Sequence, residues 1–299
     1  AGLIDTLWMI GKRLSKSGIN NPFEKIKRAY EYSSVETAKE ALSQIGTDIL
    51  TNGLPDALSP FIIGITGYGN VSNGVQEMLS LLPTKEILPE ELLNFSQLPN
   101  SKNIIYKVVF YEKDMVQRKD RTPFNLNDYY SHPENYESIF QQYLPYLNLL
   151  IHAAYWDKRY PRVVEEQFIV DNWRKPNFRL LGIGDISCDI NGGVEITKIA
   201  TEIYTPVLVY NPRSKEYTID LYSDGIPVMA VDILPAELPF DASQYFSKCL
   251  LPFVEAMLKA NWDKKFEKLQ LPNPLKKAVI LYKGQFTPDY KFMENFISG

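Results

Sequence analysis

The feature that most constrains the fold is an apolar segment that runs into a glycine-rich turn, FIIGITGYGNVSNG, at 61–74. After the glycines, Val75, Leu79 and Leu82 recur at helical spacing. A strand, a glycine turn and a helix in that order are typical of a nucleotide-binding α/β fold. The turn departs from GxGxxG because Ser72 replaces the third glycine, so the motif alone leaves open a turn that binds nothing.

Apolar segments alternate with helical patterns along the rest of the chain. Helices are predicted over 1–17 and 35–53, the second with capping-box spacing at Ser33 and Glu36. Strands are predicted at 86–88, 104–110, 147–154, 180–186 and 227–233, a hairpin-like insertion at 207–221, helices at 163–170 and 242–258, and a polar surface excursion at 111–130. This alternation predicts an α/β fold, a Rossmann-like doubly wound and mostly parallel sheet.

Composition limits the classes of function. With 45% apolar residues among 299, the chain can bury one large core or two moderate ones. Its net charge of −4, with both signs interspersed, argues against nucleic-acid binding, and no apolar run is long enough to span a membrane. Cys188 and Cys249 lie far apart, so neither a disulfide nor a metal site is expected. Free thiols fit the cytoplasm or the mitochondrial matrix.

Carboxylates stand at the ends of two predicted strands. Asp185 and Asp189 end the 180–186 segment before a Gly-Gly pair, and Asp232 ends a later one. The carboxyl ends of parallel strands face the ligand crevice, where paired carboxylates supply an acid or a base. A turn in which the aspartates cap the backbone is the alternative. His152 lies in an apolar run and is predicted to be a satisfied core residue.

The residue after the second predicted strand bears on the choice of cofactor. NAD enzymes place an acidic residue there to bind the adenosine ribose. Pro89 occupies that place here, which favours NADP(H) over NAD(H). A 2′-phosphate needs a cation, and the polar excursion offers candidates that are otherwise a solvated charged loop: Lys113, Arg118, Lys119 and Arg121.

Six segments in order resemble one enzyme family. They are AGLIDTLW, TGYGNVSNG, DYYSHPENY, YWDKRYPR, GDISCDINGG and AVDILPAELP, and together they resemble the lysine-ketoglutarate reductase portion of bifunctional aminoadipic semialdehyde synthase over nearly the whole chain. The last two are also similar, more distantly, to segments of alanine dehydrogenase and the lysine-forming saccharopine dehydrogenases. The resemblance implies an NADPH-dependent reductive condensation of L-lysine with 2-oxoglutarate to saccharopine, fusion to a saccharopine dehydrogenase domain, and a homo-oligomer.

The resemblance also implies roles for residues in the matching motifs. The assignments are Gly67, Gly69, Asn70, Val71 and Ser72 for the pyrophosphate turn, Asp189 beside the nicotinamide, Asp232 and Leu234 for the segment lining the nicotinamide, and Tyr155 and Trp156 for the crevice wall. Together with the strand-end pattern, this makes Asp185 and Asp189 the predicted catalytic residues.

Two lobes are implied as well. Residues 1–238 would form the nucleotide-binding lobe, with helix 1–17 bridging the lobes, and 239–299 would return to a catalytic lobe whose acid/base lysine and histidine would precede Ala1. We therefore expect this chain to bind the dinucleotide and to turn over little or no lysine alone. A non-catalytic nucleotide-sensing or assembly module is the alternative. A methyltransferase is less favoured because Pro89 stands where an acidic residue is wanted.

Overall fold

The computed structural model describes residues 1–297, which form two compact units, Ala1–Leu238 and a second from Pro239 onward. The strands are β1 Phe61–Thr66, β2 Thr84–Glu86, β3 Ile105–Phe110, β4 Val116–Arg118, β5 Tyr136–Ser138, β6 Leu149–His152, β7 Gly182–Asp185, β8 Val207–Asn211, β9 Glu216–Thr218, β10 Ile226–Met229, β11 Leu281–Tyr282 and β12 Gln285–Phe286. The helices are α1 Gly2–Lys16, α2 Val35–Asn52, α3 Asn70–Leu79, α4 Pro89–Leu93, α5 Glu112–Met115, α6 Leu126–Ser131, α7 Glu166–Asn172, α8 Pro239–Lys259 and α9 Asn273–Ala278. The roles of the two units as lobes stay a prediction.

Eight strands of the first unit form one sheet in the order β2-β3-β1-β6-β7-β10-β8-β9. From β2 to β10 every neighbouring pair is parallel, and β8 and β9 complete the edge as antiparallel strands. The segment predicted as a hairpin-like insertion is therefore part of the main sheet. The predicted α/β class with a Rossmann-like, mostly parallel sheet is confirmed.

Each face of the sheet carries its own apolar core. Alternate residues of β1 point to opposite faces, so Ile63 and Ile65 join one cluster while Ile62 joins the other. Because both faces are covered, all six residues of β1 are buried, as expected for a central parallel strand. The predicted opening helix is confirmed as α1, whose apolar stripe packs against β7 and β10 and whose C-terminal turn is followed by Gly18 at φ 78°.

Several predicted boundaries are wrong. The second strand covers Thr84–Glu86 and not 86–88, and Pro89, which has no N–H to donate, begins α4. The cap of α2 is Ser34, whose side chain accepts from the N–H of Thr37, and not the pair Ser33 and Glu36.

The stretch 111–130 is more than a surface excursion. It contains α5, β4 and most of α6, and β4 pairs with β5 in a small antiparallel sheet. Met115, Val116 and Tyr129 are buried in the second apolar cluster. Because its aromatic and aliphatic residues pack in this way, the stretch forms a fixed wall beside the main sheet.

The second unit is dominated by α8, which agrees with the predicted helix at 242–258 and contains Pro252. None of the residues of α8 is buried. Among the described residues, no helix is both long and apolar enough to cross a membrane.

Candidate functional site

The strand order creates a switch point beside β1. From β1 the chain proceeds to β2 and β3 on one side of the sheet and then crosses over to β6 on the other side. Ligands of open α/β sheets bind outside the carboxyl ends of the strands at such a point, because the loops diverge there and leave a crevice. The glycine turn that follows β1 lies at this position.

Two glycines of the turn meet different requirements. Gly67 has a φ of 84°, and a Cβ added to it would lie 3.1 Å from Ala154 Cα, so both backbone angle and space require glycine. Gly69 has an ordinary φ of −77°, and a Cβ there would meet nothing within 4 Å. The fold therefore needs glycine at 67, while Gly69 leaves open space above the backbone.

The predicted pyrophosphate turn continues into the first turn of α3. Asn70 and Val71 are exposed, and no side chain caps the N-terminus of this helix. Its first N–H groups can therefore donate to a ligand phosphate, which the helix dipole also favours. Ser72 is fully buried, and its Oγ accepts from Gln76 Nε2 at 3.2 Å. Backbone donors and open space beside Gly69 fit a diphosphate.

A cavity of about 320 Å³ opens at the same edge. Its walls come from the ends of β1, β3 and β6, and they include Gly67, Gly69, Glu112, His152, Tyr155 and Trp156. Of the residues predicted from the sequence, the structure thus brings the two glycines together with Tyr155 and Trp156. The catalytic and nicotinamide-lining candidates do not line this cavity.

Polar residues end three adjacent strands in one row. Thr66 of β1 is in register with His152 of β6, which is in register with Asp185 of β7. Each is the last residue of its strand and each is buried. Because His152 also lines the cavity, the row extends from the cavity to Asp185, one of the aspartates predicted from the sequence.

Asp185 is held from two sides. It accepts hydrogen bonds from Thr197 Oγ1 at 2.6 Å and from the N–H of Cys188 at 3.1 Å, and only 1% of it is exposed. Burial raises its pKa above the usual range, and His152 opposes that shift. Asp189 is half-buried, and its carbonyl accepts from the N–H of Gly192. Asp185 therefore fixes the turn that presents the more accessible Asp189.

The later predicted pair lies beyond β10. Asp232 is exposed, while Leu234 is half-buried and packs on the first apolar cluster. Asp232 is close enough to Cys188 to contribute, after burial and Asp185, to raising the pKa of that thiol to about 12. The thiol is protonated at neutral pH, which makes it a poor nucleophile.

His152, predicted to be a satisfied core residue, is buried but lines the cavity and is satisfied at only one of its two ring nitrogens. Its Nδ1 lies 2.8 Å from Thr66 Oγ1, which itself accepts from the N–H of Ala153. Its Nε2 is buried, and no group within residues 1–297 is hydrogen-bonded to it. Burial lowers the pKa of His152, so the ring is neutral at pH 7. The signal in the sequence was that three apolar strands each end in one polar residue.

A second pair of acids lies near the ends of β7 and β10. Asp5 of α1 lies beside Glu237, and Asp5 Oδ1 accepts from the N–H of Ala29 at 2.7 Å, while Asp5 Oδ2 and both carboxyl oxygens of Glu237 have no hydrogen-bond partner within residues 1–297. Both side chains are almost fully buried. Burial, and then the contact with Asp5, raises the pKa of Glu237 to about 9. At neutral pH Glu237 is therefore protonated.

The residues proposed for cofactor choice are placed differently from the prediction. Pro89 follows β2, and β2 is separated from β1 by β3, so Pro89 does not adjoin the glycine turn. Three of the four cations are engaged elsewhere: Arg118 pairs with Asp120 and Asp128, Arg121 with Glu137, and Lys119 donates to the carbonyl of Glu134.

Comparison with known proteins identifies relatives across nearly the whole chain. Alpha-aminoadipic semialdehyde synthase of Arabidopsis thaliana is 37% identical over 98% of this chain and 28% of its own length. The chain is homologous to one segment of that synthase. The mitochondrial alpha-aminoadipic semialdehyde synthases of Mus musculus and Rattus norvegicus are each 29% identical over 98% of this chain and 33% of their own length. The resemblance read from the ordered motifs is therefore confirmed. No protein-family model matches the chain.

The matched segment is only part of each synthase. This chain spans about a third of the length of these relatives or less.

Proposed function

We propose that this chain is the dinucleotide-binding portion of a lysine-ketoglutarate reductase, which condenses L-lysine with 2-oxoglutarate reductively to saccharopine in lysine degradation. One observation carries the proposal. In a chain homologous to the synthases, the glycine turn and the uncapped N-terminus of α3 face a cavity at the switch point of a Rossmann-like sheet.

The turn would hold the dinucleotide through its backbone. Gly67 and Gly69 let the backbone approach the diphosphate, and the N–H groups of Asn70, Val71 and Ser72 donate to it. When bound, the reduced nicotinamide supplies a hydride to the carbon of the imine formed from lysine and 2-oxoglutarate. The resemblance implies NADPH as the reductant.

The row of strand-end residues would serve the reacting centre. Neutral His152 lines the cavity, Asp189 lies outside it but close enough to act on the charge of that ring, and Asp185 accepts a hydrogen bond from the turn that carries Asp189. Tyr155 and Trp156 line one side of the cavity. Asp232 and Leu234, on the loop beyond β10, would border the nicotinamide end.

The relatives also suggest a cellular setting. Fusion to a saccharopine dehydrogenase domain, assembly into a homo-oligomer, and a place in the mitochondrial matrix or the cytoplasm are all proposed for this chain. The mammalian relatives are named as mitochondrial proteins, which favours a mitochondrial location for this chain over a cytoplasmic one.

The test has two arms. Titration of NADH and NADPH against the tryptophan fluorescence of this chain measures binding, since Trp156 lines the cavity. Oxidation of the reduced dinucleotide that depends on both lysine and 2-oxoglutarate, by a synthase carrying this segment, measures turnover. Absence of dinucleotide binding would refute the proposal. If the dinucleotide binds but substitutions in the glycine turn leave turnover unchanged, the nucleotide-sensing or assembly alternative is favoured.

A further inference from the structure

We propose that the dinucleotide site of this chain prefers NADH to NADPH, because Glu112 occupies the place that faces the adenosine ribose. This inference rests on the proposed function, and it concerns the choice between two forms of the same cofactor.

The first step is the strand order. β3, and not β2, is the neighbour of β1, with Phe110 in register with Thr66. The N–H of Gly67 donates to the carbonyl of Phe110 at 3.0 Å, so the end of β3 is fastened to the glycine turn. In dinucleotide folds an acidic side chain at the end of this neighbouring strand binds the ribose hydroxyls, while a basic one there accommodates a 2′-phosphate.

The second step is the geometry of Glu112, the first residue of α5. The side chain lines the same cavity as Gly67 and Gly69. Its Oε1 accepts from the hydroxyl of Tyr130 at 2.7 Å and from that of Tyr68, within the glycine turn, at 3.3 Å. These contacts hold the carboxylate beside the turn. No group in residues 1–297 donates to Oε2, which leaves that oxygen able to accept from a ribose hydroxyl.

The third step is the balance of charge. A 2′-phosphate brings about two negative charges at neutral pH, and a carboxylate within a few ångströms repels them. The arginines of the same stretch are neutralised, Arg118 by two aspartates and Arg121 by Glu137. Lys113, next to Glu112, is exposed and forms no ion pair within the described residues. It is therefore the competing candidate ligand for a 2′-phosphate.

The experiment is a titration of the 299-residue chain with NADH and with NADPH at constant ionic strength, followed by quenching of tryptophan fluorescence. Because a hydrogen bond to a charged group is lost and repulsion is added, we expect NADH to bind about tenfold or more tightly than NADPH. Glu112→Gln should reduce that ratio severalfold, and Glu112→Arg should reverse it. Glu216→Gln, on β9 at the opposite edge of the sheet, is the matched control and should leave the ratio unchanged.

Each outcome decides a different claim. Equal or tighter binding of NADPH by the unaltered chain overturns the inference and leaves the proposed function standing, and a loss of NADPH affinity in Lys113→Gln would then identify the competing ligand. A ratio that does not respond to Glu112→Gln also overturns it. If neither dinucleotide binds, the proposed function fails together with the inference. The ratio for the unaltered chain needs no variant, so the test does not depend on whether Glu112→Arg folds.

Discussion

We call the ends of β1 and β3 the open end of the crevice. There a Cβ added to Gly69 would meet nothing within 4 Å, and the half-buried Glu112 lines the cavity. At the ends of β7 and β10, the closed end, Asp185 and Glu237 are each only 1% exposed. The open end offers backbone donors and room for a ligand. The closed end holds acids whose pKa values burial has raised.

This difference indicates a division of labour. A diphosphate is recognised by N–H groups and a dipole that need no titration, so its site can lie near solvent. Acid and base chemistry needs shifted pKa values, and burial beside other charges produces them. We therefore expect substitutions at the open end to change binding and substitutions at the closed end to change turnover or the pH dependence of stability.

The largest expected effect is that of Asp189→Ala in a synthase carrying this segment. If Asp189 assists proton transfer beside the nicotinamide, turnover should fall about a hundredfold or more, while the dinucleotide affinity of this chain should change less than about twofold. Steady-state kinetics and the fluorescence titration measure the two quantities. Asp171→Ala, an exposed aspartate of α7, is the control. Unchanged kinetics would remove Asp189 from the site.

The two glycines of the turn should separate folding from binding. Gly67→Ala should lower the free energy of unfolding by about 1–3 kcal/mol, because alanine resists the positive φ and its Cβ would press on Ala154. Gly69→Ser should keep the fold, since serine is a good N-cap, yet weaken dinucleotide binding about tenfold by filling the space for the diphosphate. Denaturant unfolding and titration test both.

A helix control accompanies that pair. Gly74→Ala lies within α3, where a Cβ meets nothing within 4 Å, and it should raise stability by about 0.5–1 kcal/mol without changing affinity. If Gly69→Ser binds as tightly as the unaltered chain, the open end is not where the diphosphate lies.

The proton that Glu237 holds at the closed end should appear in the pH dependence of stability. The folded pKa of Glu237 is raised from 4.5 to about 9, so the folded chain holds a proton that the unfolded chain releases. Its contribution is fully present below about pH 4.5 and is lost as the pH rises towards 9. Glu237→Gln keeps the shape of the side chain and cannot ionise. The free energy of unfolding of this variant, relative to that of the unaltered chain, should therefore be about 1–3 kcal/mol higher at pH 8 than at pH 5.

Two positive charges face Asp5 and Glu237 and also affect the pH dependence of stability. They are the amino group of Ala1 and the guanidinium of Arg28, both of which favour ionisation of the acids. Unfolding free energies measured at both pH values therefore need an Arg28→Gln comparison. An equal pH slope in Glu237→Gln and the unaltered chain would contradict a raised pKa of Glu237.

The smallest expected effect belongs to His152. Its folded pKa is lowered below 6.5 by burial, so stability is fully present above about pH 6.5 and declines as the pH falls below it. Asp185 and Asp189, which face the ring, reduce the size of this effect. His152→Asn should flatten the decline by about 1 kcal/mol, as unfolding measurements between pH 5 and 7 would show. A slope that stays the same would mean that folding does not lower the pKa of this imidazole.

Much of the fold could be predicted from local patterns. The 61–66 strand and the helix after it were correct because an apolar run and a 3.6-residue repeat are written in neighbouring residues. The stretch 111–130 was misjudged because its apolar residues are interspersed with charges, and only packing against the sheet shows that Met115 and Tyr129 are core. Whether His152 Nε2 has a partner likewise depends on residues far away in the sequence.

The sequence by itself determined that this chain has a glycine turn between a buried strand and a helix, and that its ordered motifs match the synthases. Only the tertiary structure decided which strand lies beside that turn. Sequence order suggested the second strand and therefore Pro89, whereas pairing in the sheet places β3 there and with it Glu112. The reason is that periodicity reports contacts between near neighbours, while strand order depends on hydrogen bonds and packing between segments that the chain brings together only when it folds.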